Sequence, residues 1–285
     1  MIHVATVHWR SARWIDIQLR YLERFLPAPY RVYAFLTDID PGHEHKFFYS
    51  SREPIKPHAI KLNVLADLIR FSADDPSDIL IFIDGDAFPI APLEPLITAR
   101  LARHRLIAVQ RYENLGDLQP HPCFCVTTVG FWHEIRGDWK PGHQWRDLHG
   151  KALTDVGGNL LGLLEQAGVD WYPLRRTNVR NRDPILFGLY GDAELGPVVY
   201  HHGAGFRHAP ERVARLHGGE PRLEVTVRAK AIDHLLKYLE QVRIELVRMH
   251  PVDRMERRLA MRLQQLSEPV IDAIDRDEEF WRDVS

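Results

Sequence analysis

The sequence predicts a doubly wound α/β fold, a sheet with helices on both faces, and three observations lead to this prediction. Short uninterrupted apolar runs, such as 79–83, are typical of strands that are buried on both faces. Helical patterns separate these runs, so that strands and helices alternate. The chain has 285 residues and an ordinary apolar content of 45%, which suits one large domain or a domain with an appendage.

Each element is justified by its local pattern. The helix over 58–71 places Leu62, Leu65 and Ile69 on one face, and Pro27 and Pro29 end the helix before it. The predicted strands are 3–7, 32–36, 79–83, 106–110, 124–129, 171–174 and 198–202, and the predicted helices are 13–25, 58–71, 92–102 and 155–166.

Beyond Pro221 the pattern changes to an amphipathic helical stripe over 232–246, and Pro251 and Pro269 divide the tail into several helices. We therefore expect a catalytic domain over 1–220 and a helical C-terminal extension over 221–285. Basic residues dominate this tail at first and acidic residues dominate after 265. Either a solvated tail or a surface for peripheral membrane binding or self-association fits this distribution.

Composition excludes several classes of protein. The formal net charge of −2 predicts no nucleic-acid partner. No apolar stretch reaches the roughly 20 residues of a transmembrane helix, and the N-terminus begins like a strand rather than a signal peptide. Cys123 and Cys125 share one strand face and are poorly placed to bridge, so we expect core residues in a reducing compartment. A cytoplasmic location is predicted, with association at the inner membrane face left open.

The most informative segment is the apolar run 79–83, which leads directly into Asp84, Gly85 and Asp86. Two carboxylates at the edge of a core are costly unless a cation neutralises them, and carboxylate oxygens suit a divalent ion. Gly85 allows a ligand to approach the main chain closely. Because open α/β sheets bind ligands at the carboxyl ends of their strands, the sequence predicts a metal site here.

The segments 61–65 and 79–88 resemble the core of GT-A-fold nucleotide-sugar glycosyltransferases, and the resemblance extends over residues 3 to 208. It implies a Rossmann-like, mixed, mostly parallel sheet, with the Asp-x-Asp motif holding Mn²⁺ or Mg²⁺ on the diphosphate of a sugar donor. It also implies that Lys61, on the preceding helix, reaches the donor. By the same resemblance Val7 and His8 lie near the base and ribose, with Arg13 nearby.

A second part of the resemblance concerns His201 and His202. The run from His202 to Gly205 matches the first half of the His-x-x-Gly-x-x-Lys pattern of the glycogenin-like branch, in which the histidine binds the same metal. His208 stands where the lysine would be, so the adjacent Arg207 is assigned to the leaving diphosphate. Adjacent strand residues point to opposite faces, so one histidine is expected to bind; His202 is preferred over His201. Two aspartates and a histidine favour Mn²⁺.

Two further segments leave alternatives open. The aromatic stretch 131–145 is either an acceptor site, by the resemblance, or part of the core or a dimer contact. Asp155 either caps the helix that follows, as Thr154 also could, or is catalytic, as the base of an inverting transferase or a polar contact of a retaining one. Gly157 and Gly158 would let a sugar approach the backbone.

The sequence therefore predicts a metal-dependent glycosyltransferase that uses a nucleoside-diphosphate sugar, with a UDP-sugar favoured. The acceptor is a hydroxyl of a glycan, a lipid-linked sugar or a small molecule. The chain has no glycine-rich phosphate loop after its first strand, which argues against dinucleotide-binding and P-loop enzymes. The alternatives are a phosphohydrolase of the haloacid-dehalogenase type and a non-catalytic nucleotide-binding partner protein.

Overall fold

The computed structural model describes residues 1–9, 11–27, 29–114, 116–147, 150–178, 187–203, 269–276 and 279–281. These residues divide into two compact units. The larger unit holds the described residues from 1 to 178, 188–202 and 281, and contains the sheet. The smaller unit holds 187, 203, 269–276 and 279–280, and includes a helix over 269–276. The predicted boundary at 220/221 and the stripe over 232–246 lie outside the described residues.

The larger unit is built around a ten-stranded sheet in the order β3-β2-β1-β4-β7-β6-β10-β11-β12-β5. Its strands are β1 Ile2–Trp9, β2 Tyr30–Thr37, β3 Tyr49–Ser51, β4 Ile79–Asp84, β5 Ala87–Pro89, β6 Leu106–Val109, β7 His121–Thr128, β10 Tyr172–Arg176, β11 Gly188–Asp192 and β12 Gly196–His201; β8 Trp145–Arg146 and β9 Ala152–Leu153 form a separate pair. The helices are α1 Arg13–Phe25, α2 His58–Ser72, α3 Glu94–Leu101, α4 Val129–Glu134 and α5 Gly158–Ala167.

The sheet is mixed and mostly parallel, as predicted. Following the pairings across it, β3, β2, β1, β4, β6, β10 and β12 run in one direction, and β7, β11 and β5 run in the other. The carboxyl ends of β1, β4 and β6 and the start of β7 therefore meet at one edge of the sheet, which we call the carboxyl edge. This is the edge at which such sheets bind ligands.

The short strand β5 determines where the chain returns to this edge. It follows β4 after Gly85 and Asp86, but it pairs with β12 rather than with a neighbour of β4. In this pairing Ala87 lies opposite His201. A segment more than a hundred residues later is thereby fixed beside the carboxylates.

The core has two layers, one on each face of the sheet. Alternation along the strands sends Val4 and Ile81 to one layer, with α1 and α3, and Ala5 and Phe82 to the other, with α2, α4 and α5. Cys123 and Cys125 are both free and buried, as expected. No helix among the described residues is long and apolar enough to cross a membrane.

The aromatic stretch belongs to the second layer of the core. Phe131, Trp132, Trp139 and Trp145 are all buried, and the rings of Trp132 and Trp139 stack at a centroid distance of 5.4 Å. The helix α4 follows the end of β7. This end lies away from the carboxyl edge, because Thr128 pairs with Ile79 at the start of β4. Of the two open interpretations, the structure favours a core role.

Several elements differ from the prediction. The strands β3, β5 and β11 and the helix α4 are not predicted, because segments of three to six residues show little periodicity. The helix α3 begins at Glu94 rather than at residue 92. The helix α5 is preceded by Gly157 with a φ of 93°, so neither Thr154 nor Asp155 is its N-cap. Thr154 instead accepts a hydrogen bond from the N–H of Gly142.

Candidate functional site

The turn after β4 is held closely against β1. The N–H of Gly85 donates to the carbonyl oxygen of Val7 at 3.2 Å. A Cβ atom on Gly85 would lie 2.6 Å from that oxygen and 2.7 Å from Nδ1 of His8. Any larger residue would push the two carboxylates away from the end of β1, so a glycine is required between them.

The side chain of Gln18, on α1, also holds this turn in place. Its Nε2 donates to the carbonyl oxygens of Asp84 and Ala87, at 2.8 and 2.7 Å. The side chain is fully buried, so one amide group holds the residues on both sides of Gly85 and Asp86. The sequence analysis missed this residue. Its signal was a polar side chain four positions after Trp14, on the buried face of an amphipathic helix.

His201 joins the two carboxylates at the end of β12. Its Nε2 lies 3.6 Å from Oδ2 of Asp84 and 3.5 Å from Oδ1 of Asp86. One ligand atom from each of the three residues lies within 4.8 Å of the others, and this is the cluster of metal-binding side chains found among the described residues. Asp84, Asp86 and His201 therefore form a group that fits a single cation.

The histidines near this group determine the pKa values of its two carboxylates. Burial acts to raise the pKa of Asp84, but His58 and His201 outweigh it and hold that pKa below its ordinary value. Burial acts in the same direction on Asp86, where His201 and then His202 lower the pKa well below its usual range. Both carboxylates are thus ionised and available as ligands at neutral pH.

His202 has a different role from the one expected. Its backbone N–H donates to the carbonyl oxygen of Asp86 at 3.0 Å. Its ring lies against the ring of Trp14 at 4.8 Å, with Nδ1 2.9 Å from the hydroxyl of Tyr200. Burial lowers the pKa of His202 to about 4. The geometry therefore favours His201 over His202 as the ligand, since His201 faces the carboxylates and His202 supports their backbone.

His58 is a further residue that the sequence analysis missed. It is the first residue of α2, and its Nε2 lies 2.9 Å from Oδ1 of Asp84 without hydrogen-bond alignment. Lys61, one turn later, donates from Nζ to Oγ1 of Thr37 at 2.6 Å, and burial lowers its pKa. The three-residue spacing puts both on one helix face, so His58 contacts Asp84 while Lys61 lies at the end of β2.

The residues expected to bind the nucleotide lie at the same edge, on the β1 side of Asp84. Val7 and His8 are near the end of β1, and Arg13 is the exposed first residue of α1. His8 is buried, and neither of its ring nitrogens has a hydrogen-bond partner. Burial lowers its pKa to about 4, so His8 is neutral at pH 7. A neutral imidazole can both donate and accept a hydrogen bond.

On the other side of the carboxylates, Arg111 and Asp155 lie close together. Nη2 of Arg111 is 3.7 Å from Oδ2 of Asp155 and 3.6 Å from Oδ2 of Asp117. Oδ1 of Asp155 accepts a hydrogen bond from the N–H of Val156 at 2.8 Å, and its side chain remains 45% exposed. The structure thus leaves Asp155 open to a substrate. Arg207 lies outside the described residues.

No protein-family model and no curated protein matches the chain. The solved structures that are similar to it include two glycosyltransferases, GlyE and LgtC, and the protein TarS. The apo form of GlyE from Streptococcus pneumoniae TIGR4 is 12% identical, over 47% of this chain and 36% of that one, with a TM-score of 0.36. TarS 1–349 from S. aureus, in complex with UDP, is 12% identical over 49% and 50%, with a TM-score of 0.35. LgtC, a galactosyltransferase in complex with donor and acceptor sugar analogs, is 12% identical over 60% and 73%, with a TM-score of 0.37.

The similar segment thus spans about a third to a half of the GlyE and TarS chains. The glycogenin-like branch is not confirmed.

Proposed function

We propose that this chain is a metal-dependent glycosyltransferase that transfers a sugar from a nucleoside-diphosphate sugar, preferentially a UDP-sugar, to an acceptor hydroxyl. The cluster of Asp84, Asp86 and His201 at the carboxyl edge is the observation that carries the proposal. The acceptor would be a glycan, a lipid-linked sugar or a small molecule. A catalytic domain over 1–220 and a helical extension over 221–285 remain part of this proposal.

The residues present fit a divalent cation. Ionised carboxylates are the ligands that Mg²⁺ and Mn²⁺ prefer, and an imidazole nitrogen shifts the preference toward Mn²⁺. When bound, such an ion would neutralise the diphosphate and favour its departure as a Lewis acid. His58 would hold Asp84 in place from the opposite side, in the way that outer partners orient metal ligands.

The chain contributes chiefly position and electrostatics. Gln18 and the backbone N–H of His202 fix the turn that carries the carboxylates, so little rearrangement is needed when the substrate binds. His8, Arg13 and Lys61 would hold the nucleotide, with Arg207 near the leaving diphosphate. Asp155 would take the proton of the acceptor hydroxyl in an inverting reaction, or contact the sugar in a retaining one.

The test is donor binding and hydrolysis by the full chain. UDP, GDP and ADP are screened by thermal shift with Mn²⁺, since a ligand that binds the folded state raises the melting temperature. The corresponding nucleotide sugars are then assayed for hydrolysis and for transfer to simple glycosides. We expect a nucleoside diphosphate to bind only with the metal, and Asp86→Asn to abolish metal-dependent binding and turnover.

Asp74→Asn is the matched control, because it removes the same charge from an exposed turn near the start of β4. It should behave like the wild type. Full activity of Asp86→Asn would overturn the proposal. Hydrolysis of p-nitrophenyl phosphate without any donor turnover would support a phosphohydrolase instead. Phe88 argues against that alternative, because it stands where such enzymes carry a threonine and is buried against Tyr200 at 4.7 Å.

A further inference from the structure

A group of polar atoms at the carboxyl edge has no hydrogen-bond partner among the residues that the structure describes. Gln119 is only 1% exposed, yet neither its Oε1 nor its Nε2 makes a hydrogen bond. Nε of the buried Arg111 guanidinium is also without a partner. An unsatisfied buried polar atom costs about 1–3 kcal/mol, and most buried groups avoid this cost. Two such residues, both near the segment that leads into α5, therefore call for an explanation.

The backbone brings these residues to the start of α5. A Cβ atom on Gly157 would collide with the carbonyl oxygen of Pro120 and lie 3.3 Å from Cγ of Gln119. The segment that carries Gln119 thus lies directly against the residues before α5, among them Asp155. Nη2 of Arg111 lies 3.7 Å from Oδ2 of Asp155.

The same residues lie next to the proposed metal centre. His121 follows Gln119 by two positions, and its ring centroid is 5.9 Å from that of His201. Arg111 follows Val109 by two positions, and Val109 pairs with His121 across β6 and β7. Since β7 flanks β4 on one side and β1 flanks it on the other, Gln119 and His8 lie on opposite sides of the carboxylates.

The charges of this group select the kind of ligand. Arg111 is already faced by Asp117 and Asp155, so a second anion such as a phosphate would meet two carboxylates. A neutral sugar meets no such repulsion. Its hydroxyls both donate and accept, which matches an amide, a guanidinium and an exposed carboxylate.

We propose that Gln119 and Arg111, together with Asp155, bind the hydroxyls of the transferred sugar and determine which nucleotide sugar is used. This inference rests on the proposed function, because it places the nucleotide on the β1 side and the sugar on the β7 side of one metal-bound diphosphate. In this arrangement Oε1 and Nε2 of Gln119 form hydrogen bonds with the sugar hydroxyls when the donor is bound.

The experiment compares UDP with UDP-glucose, UDP-galactose and UDP-N-acetylglucosamine by isothermal titration in the presence of Mn²⁺. The variant is Gln119→Leu, and the control is Gln166→Leu, the same change at an exposed position of α5. We expect Gln119→Leu to weaken the preferred UDP-sugar about tenfold, the loss of one or two hydrogen bonds. The affinity of Gln119→Leu for UDP itself should stay within about twofold of the wild-type affinity.

A second readout separates binding from a structural role. Because Gln119→Leu removes two unsatisfied polar atoms from a buried position, its melting temperature should equal or exceed that of the wild type. A lowered melting temperature, or equal loss of UDP and UDP-sugar affinity, would overturn the inference. So would an unchanged preference for UDP-sugar over UDP. If the wild type binds no nucleoside diphosphate with Mn²⁺, the proposed function itself has failed.

Discussion

Gln18 gives the sharpest prediction, because one buried side chain holds the turn between β4 and β5 and lies outside the proposed ligands. Gln18→Leu keeps a similar volume and removes both hydrogen bonds to the carbonyl oxygens of Asp84 and Ala87. Each carbonyl left unpaired costs about 1–3 kcal/mol. The change also removes Oε1 of Gln18, which is buried without a partner. Removing this unsatisfied atom stabilises the variant by about 1–3 kcal/mol and offsets part of the loss.

The expected net loss in the free energy of unfolding is therefore about 1–3 kcal/mol. We expect the affinity for Mn²⁺ in the presence of UDP to fall about tenfold or more, as for other partners that orient metal ligands. Gln18→Glu should be worse than Gln18→Leu, since it places a carboxylate against two carbonyl oxygens without a donor to bond them.

Urea denaturation followed by tryptophan fluorescence measures the stability, and isothermal titration measures the metal affinity. Gln144→Leu is the control, because it makes the same change at an exposed site. The reasoning is refuted if Gln18→Leu matches Gln144→Leu in both stability and Mn²⁺ affinity. That result would mean that the carbonyl oxygens of the turn are satisfied without Gln18.

Three further predictions follow from other buried groups. Gly85→Ala should lower stability by about 1–3 kcal/mol and abolish Mn²⁺ binding, because its Cβ would lie 2.6 Å from backbone of β1; melting and metal titration like those of the wild type would contradict this. The pKa of His8 is about 4 in the folded protein, against its ordinary 6.5. The contribution of His8 to the free energy of unfolding is therefore fully present above pH 6.5 and decreases by at most about 3 kcal/mol as the pH falls to 4. His8→Leu should flatten that fall in urea titrations at several pH values, and an unchanged slope would count against it. Burial raises the pKa of Cys123 and Cys125, so iodoacetamide should modify them slowly until urea unfolds the chain, whereas rapid modification of the native protein would show that one is accessible.

Much of the sheet could be predicted because its central strands are continuous apolar runs. Residues 79–83 need no partner to be recognised, since burial on both faces favours a continuous apolar run. Residues 3–7 are mostly apolar, although His3 and Thr6 are buried as well. The strands β5 and β11 escaped prediction because their identity depends on pairing with β12, and segments of three and five residues show little periodicity. The helix α5 was found, but its first turn was not, because Gly157 rather than a polar side chain precedes it.

The candidate site was predictable only in part. Asp84 and Asp86 follow a buried strand, and that contrast is visible in the sequence. The choice between His201 and His202 was not, because it depends on which face of β12 meets the carboxylates. His58 and Gln18 were missed for the same reason: each is an ordinary helical residue until the tertiary structure places it against Asp84.

The pairing of β5 with β12 makes the identity of the third ligand a matter of register. Side chains alternate along a strand, so a slip of β12 by one residue against Ala87 would present His202 and withdraw His201. The register of β5 and β12, two strands that are far apart in the chain, would then decide which of the two adjacent histidines reaches the ion. A single inserted residue in the turn from β11 to β12, far from any ligand, could thus exchange one ligand for the other without altering either.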